Sequence, residues 1–195
     1  MIAGVPLIVL AATHRGAGSA LGTAVYVATV IGLFGVSATY HRITWSPPAR
    51  RRMRRLDHSM IFVFIAGTFT AIAALALKPA TAQVILTVVW LGALVGLLLS
   101  LELIPAPRWL HVAVYLALGW VAVFIVPELG HRAGIAALVL VLAGGVFYSL
   151  GAVAYATRRP VLSPLVFGYH EVFHLCTILA ATCHYVAIWL AVYRR

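Results

Sequence analysis

Most residues able to do chemistry in this chain fall into three short clusters. Ser37 and His41 are four residues apart, His170 and His174 likewise, and Asp57 and His58 are adjacent. On a helix, an i, i+4 pair projects from one face with its members about 5 to 6 Å apart, so each pair can share one ligand. Three imidazoles, from His41, His170 and His174, match the His₃ set that leaves a fourth tetrahedral position on zinc open to water, the catalytic pattern. Such a water has its pKa lowered to about 7 and can attack a carbonyl while a nearby donor stabilises the oxyanion. Asp57 would then act as general base or orient the water, and Ser37 would hydrogen-bond the water or the substrate oxygen. Nitrogen ligands also suit copper, nickel and iron. An isolated H-x-x-x-H is a weak signal, because a membrane histidine can equally bond a neighbouring helix's backbone.

At 100° per residue, His174 lies about 40° from His170 and His184 about 40° to the other side, so one helix face holds all three. His184 is nevertheless about 15 Å further along the axis than His174, too far to join the same ligand set. Cys176 and Cys183 fall nearly opposite that face and about 10 Å apart, which marks them as small buried apolar residues and excludes a disulfide within one helix. Glu171 points about 100° away from His170, which leaves it at most a supporting role behind the ligands. Tyr40, Tyr169 and His58 are expected at the membrane interface, as are Glu102, Glu128, His111 and His131 at helix ends that water reaches.

The elements that must position these residues are apolar. Of 195 residues, 64% are hydrophobic and 9% charged, with a mean hydropathy of +1.05, whereas soluble domains run about 25% charged. A water-soluble globule is excluded. Apolar runs separated by Pro, Gly or Arg stand at about 2–12, 17–40, 58–77, 82–102, 109–126, 133–157 and 168–192. The first is too short to span alone and lacks the basic region and clear cleavage site of a signal peptide, so it reads as a truncated helix or as a start placed late in the chain. Pro47, Pro48, Pro79, Pro105, Pro107, Pro127, Pro160 and Pro164 punctuate the boundaries. No linker or repeat interrupts residues 1–195, which predicts a single all-α transmembrane domain of seven helices. Gly144, Gly145 and Gly151 would let neighbouring backbones approach closely.

The formal charge is +10, from 14 basic and 4 acidic residues. No basic face is interleaved with exposed aromatics, so no nucleic-acid partner is expected. The arginines instead sort by topology. Arg42, Arg50, Arg51, Arg52, Arg54 and Arg55 cluster after the second run and place it ending in the cytoplasm. The N-terminus is then cytoplasmic and the C-terminus outside. The helix ends bearing Ser37 and His41, Asp57, and His170 and His174 all come to the cytoplasmic side.

The stretches Ser37-Ala38-Thr39-Tyr40-His41, Arg55-Leu56-Asp57-His58-Ser59 leading to Ile65-Ala66-Gly67-Thr68-Phe69-Thr70, and His170-Glu171-Val172-Phe173-His174 resemble the hemolysin III family, which belongs with the progestin and adipoQ receptors. The likeness covers nearly the whole chain, including Leu118-Gly119-Trp120, Ala143-Gly144-Gly145 and Leu150-Gly151-Ala152. It implies a seven-helix protein of the cell membrane with zinc near its cytoplasmic face, held by His41, His170 and His174, with Ser37 and Asp57 completing the polar site. The wider superfamily includes alkaline ceramidases, which implies a hydrolase of lipid amides or esters with a membrane lipid as substrate or ligand. The alternatives are a non-enzymatic sensor or receptor-like protein with a structural zinc, and the cytolysin of the family's name. High apolar content disfavours the cytolysin, because a secreted pore former must first be soluble. The family usually carries a polar segment and a full first helix ahead of the point where this sequence starts.

Overall fold

The structure, a computed structural model, describes residues 3–161, 163 and 167–194. The described residues are helical throughout, apart from connections and an isolated bridge in which Ser163 and Phe167 exchange two backbone hydrogen bonds of 2.9 Å. Six helical stretches are long and apolar enough to cross a membrane. The chain divides into two compact units, Met1–Pro107 and Arg108–Arg195.

The first unit holds α1 (Gly4–Arg15), α2 (Ala17–Arg42), α3 (Pro47–Ala76) and α4 (Pro79–Ser100), each packed on the next. The 12 residues of α1 make about 18 Å of helix, short of a crossing, as its sequence suggested. Gly16 separates it from α2 with φ 88° and ψ 178°, a conformation that a side chain would strain. Pro47 and Pro48 occupy the opening turn of α3, and Pro79 that of α4, where a missing N–H costs nothing. Pro47 and Pro48 are expected from the sequence to mark a stop after α2. They are also a start, and the arginine-rich stretch that follows them is helical. The core of this unit forms around α3, where Phe62, Phe64, Ala66, Phe69 and Leu75 are buried.

The second unit holds α5 (Arg108–Gly119), a 3₁₀ stretch (Trp120–Ile125), α6 (Val126–Arg132), α7 (Ile135–Thr157) and α8 (Tyr169–Tyr193). Pro127 was expected to end a helix. The helical path instead runs on to Arg132 by tightening into 3₁₀ ahead of the proline, whose ring would clash with the carbonyl four residues back in a regular α-helix. Trp120 donates from Nε1 to Ser149 Oγ on α7 at 3.0 Å. Gly134, at φ 94°, breaks α6 from α7, and α7 packs along α8.

Candidate metal centre

In the second unit, α8 begins with a backbone cap. The Gly168 N–H donates to Glu171 Oε2 at 2.9 Å, so the glutamate left as a possible support for the ligands is occupied in closing the helix start. This fixes the register of the first turn and sends His170 and His174 out along one face. Their Nε2 atoms lie 3.0 Å apart, with ring planes at 82°. At that distance either one nitrogen donates a proton to the other or a cation sits against both. Two imidazoles bound tetrahedrally at about 2.0 to 2.1 Å would have their nitrogens about 3.3 Å apart, so the pair needs to move only a few tenths of an ångström to fit a metal.

Tyr155 of α7 flanks this pair. Its ring centroid is 5.8 Å from His170, 5.3 Å from Phe173 and 6.1 Å from Tyr169. Tyr155 is not among the residues that local sequence pattern singles out. The available signal was its seven-residue spacing from Tyr148, two helical turns along one face of α7, and Tyr148 in turn packs 5.6 Å from His184. His184 stands apart from the pair, as the axial count required. It donates from Nε2 to the Val141 carbonyl of α7 at 3.2 Å, which makes it a helix-to-helix bond. Cys176 and Cys183 are free and half-buried.

In the first unit, Ser37 is half-buried on α2 and His41 follows one turn later, exposed in the last turn. The Tyr40 ring packs 4.6 Å from the His41 ring. Asp57 is buried on α3, one turn inside the arginines, a costly position for a carboxylate that serves no purpose. Ser59 beside it is buried and donates to the Arg55 carbonyl at 2.7 Å. Glu102, at the end of α4, was expected to be simply an interfacial polar residue. It pairs with Arg55 through a hydrogen bond and lies 3.6 Å from Arg54. The Arg55 hydrogen bond holds its carboxyl below the ordinary glutamate range.

His170 and His174 of α8 are two donors that could help to hold a metal ion. A helical chain with six membrane-capable stretches defines a multi-pass membrane protein. A family model described as Haemolysin-III related matches residues 1–185, and the chain belongs to that family. It is 29% identical over 153 residues to the hemolysin-3 homolog of Bacillus subtilis (strain 168), spanning 78% of this chain and 71% of that one. It is 33% identical over 182 residues to the heptahelical transmembrane protein ADIPOR2 of Oryza sativa subsp. japonica, spanning 84% and 79%. With the monocyte to macrophage differentiation factor of Homo sapiens it shares 25% identity over 174 residues, spanning 87% and 70%.

Proposed function

We propose that the protein is a zinc-dependent hydrolase that cleaves an amide or ester bond of a membrane lipid at the cytoplasmic leaflet, within a single seven-helix domain whose N-terminus is cytoplasmic and C-terminus outside. The observation that carries this reading is the His170–His174 pair, two ring nitrogens 3.0 Å apart at the start of a membrane helix. Counting crossings supports His41 as the third ligand: successive spans from α2 to α8 return the start of α8 to the face where α2 ends and α3 begins. With three histidines the fourth position stays open, which favours catalysis over a closed structural site. Zinc, when bound, acidifies a water and polarises a carbonyl.

The chain's own side chains supply the rest. Asp57 takes a proton from the attacking water as its oxygen bonds to the carbonyl carbon. It then delivers that proton to the departing amine or alcohol as the carbon–nitrogen or carbon–oxygen bond breaks, leaving a fatty acid. The Ser37 hydroxyl orients the water or the carbonyl oxygen from one turn before His41. Tyr155 and Phe173 pack beside the His170 ring and hold its orientation.

Elemental analysis of purified wild type beside His170→Ala and His174→Ala, with fatty-acid release measured from ceramide-like and ester lipids, tests the reading. The expected result is one zinc per chain in wild type and none in the variants. Asp57→Asn should keep its zinc and lose turnover by about 10² to 10⁴. Zinc-loaded wild type that releases no fatty acid, yet loses thermal stability on chelation, would instead support the structural-zinc sensor.

A further inference from the structure

The opening turns of α3 are not needed to cross a membrane. The helix has 30 residues, about 45 Å at 1.5 Å per residue, while the hydrocarbon core is about 30 Å thick. The surplus of about ten residues lies at the Pro47 end, because that end carries Arg50, Arg51, Arg52, Arg54 and Arg55 while the remainder is apolar. The five arginines occupy about 7.5 Å of axis, comparable to the headgroup layer of about 5 to 8 Å on each side of the core.

Their angular spread matters as much as their depth. At 100° per residue, Arg50 and Arg54 lie within about 40° of each other, Arg51 and Arg55 follow, and Arg52 closes an arc of about 200°. Ala49, Met53 and Asp57 take the remaining sector. Burial follows most of the same division: Asp57 is buried, Ala49 and Met53 are half-buried, and Arg50, Arg51, Arg52 and Arg54 are exposed, with Arg55 half-buried and Leu56 exposed at the edge of the arc. Glu102 answers Arg54 and Arg55. Among the described residues, no carboxylate forms an ion pair with Arg50, Arg51 or Arg52.

We propose that this arginine arc is a binding surface for the phosphate headgroups of anionic phospholipids. The planar guanidinium fork presents paired donors to two phosphate oxygens and is weakly hydrated, so exchanging water for a phosphodiester costs it little. The arginines are strung around and along a helix rather than gathered in a concavity, which suits a sheet of headgroups better than one dissolved ion. Basic side chains beside a crossing helix are attracted to such a surface additively. The inference is independent of the metal centre.

The test is lipid binding to the full chain in a neutral detergent, followed by native mass spectrometry with short-chain phosphatidylglycerol, phosphatidylcholine or inorganic phosphate as the probe. Wild type should bind phosphatidylglycerol at least about tenfold more tightly than phosphatidylcholine, and the preference should collapse between about 0.1 and 0.5 M salt as the charges are screened. The Arg50→Gln/Arg51→Gln/Arg52→Gln variant should lose the preference, while Arg132→Gln, in the other unit, keeps it. A salt-insensitive or absent preference in wild type overturns the proposal without recourse to any variant. So does its persistence in the triple variant, or its full displacement by millimolar inorganic phosphate, which would mark a site for the free ion.

Discussion

The α3-centred first unit and the α7–α8 pair of the second solve the same problem, packing helices tightly in an apolar medium, around different side chains. In α3, 67% of the apolar window is buried, against 39% in α8. Several buried hydroxyls around α3 are satisfied within their own helices, Thr23 donating to the Ser19 carbonyl at 2.8 Å, Thr29 to Tyr26 at 2.8 Å and Thr68 to Phe64 at 2.9 Å, while Ser19 donates from α2 across to the Ala74 carbonyl of α3 at 3.0 Å. In the second unit an imidazole ties two helices together, His184 bonding the Val141 carbonyl, and Trp120 reaches Ser149. Glycine marks the same contrast. Gly96 makes room for the Phe62 ring in the first unit, whereas Gly144 makes room for the His184 imidazole in the second. One unit closes a glycine notch around a phenyl ring, and the other around an imidazole.

The largest test of that contrast is metal itself. His174→Ala should lower zinc affinity by at least about a hundredfold, since removing a ligand costs more than the 10- to 100-fold typical of its supporting partners; equilibrium dialysis of the purified protein measures it. The same titration on Gly96→Ala should show unchanged affinity. Gly96→Ala should instead destabilise the first unit by about 1 to 3 kcal/mol, because an added methyl runs into the buried Phe62 ring. A double-mutant cycle sharpens the second half of the contrast. Gly144→Ala should cost about 1 to 3 kcal/mol in wild type but well under 1 kcal/mol in a His184→Ala background, where nothing occupies the notch. Equal costs in both backgrounds would show that Gly144 serves the backbone approach to Ala180 rather than the histidine. Tyr155→Ala should weaken zinc binding by about tenfold by freeing the His170 ring, and Tyr155→Phe should restore most of it, because the contact is made through ring packing.

Much of this was legible before coordinates because two physical periods are written plainly in the sequence. Runs of about 20 apolar residues report the thickness of the hydrocarbon, and i, i+4 spacing reports a shared helix face, which is why His170 and His174 could be paired and His184 set apart by axial distance. Hydropathy, however, sees partition into lipid and not helix ends. It placed the third run at 58, whereas α3 starts at Pro47, since arginine is a good helix former and proline suits the opening turn. Pro127 was misjudged for a related reason: the tightened turn before it keeps the helical path going. Tyr155 and the Val141 carbonyl were invisible because their importance depends on which helix packs against α8. No local pattern encodes that choice.

The smallest effect returns to the first unit and to Glu102. Arg55 hydrogen-bonds its carboxylate and lowers its pKa from the ordinary 4.5, with Arg54 and Arg51 adding favourable charge. A carboxyl depressed in the folded state adds stability that is fully present above its unfolded value and is lost as pH falls through its folded one. The thermal midpoint of wild type should therefore exceed that of Glu102→Gln by a constant margin above about pH 5, and the margin should shrink as pH drops below 4.5. Because the group is exposed, the margin should be small and should fade in about 0.5 M salt. A margin that instead grew on acidification would mean that protonated Glu102 is the stabilising form, and the arginine pair would then have to be held by something other than this carboxylate.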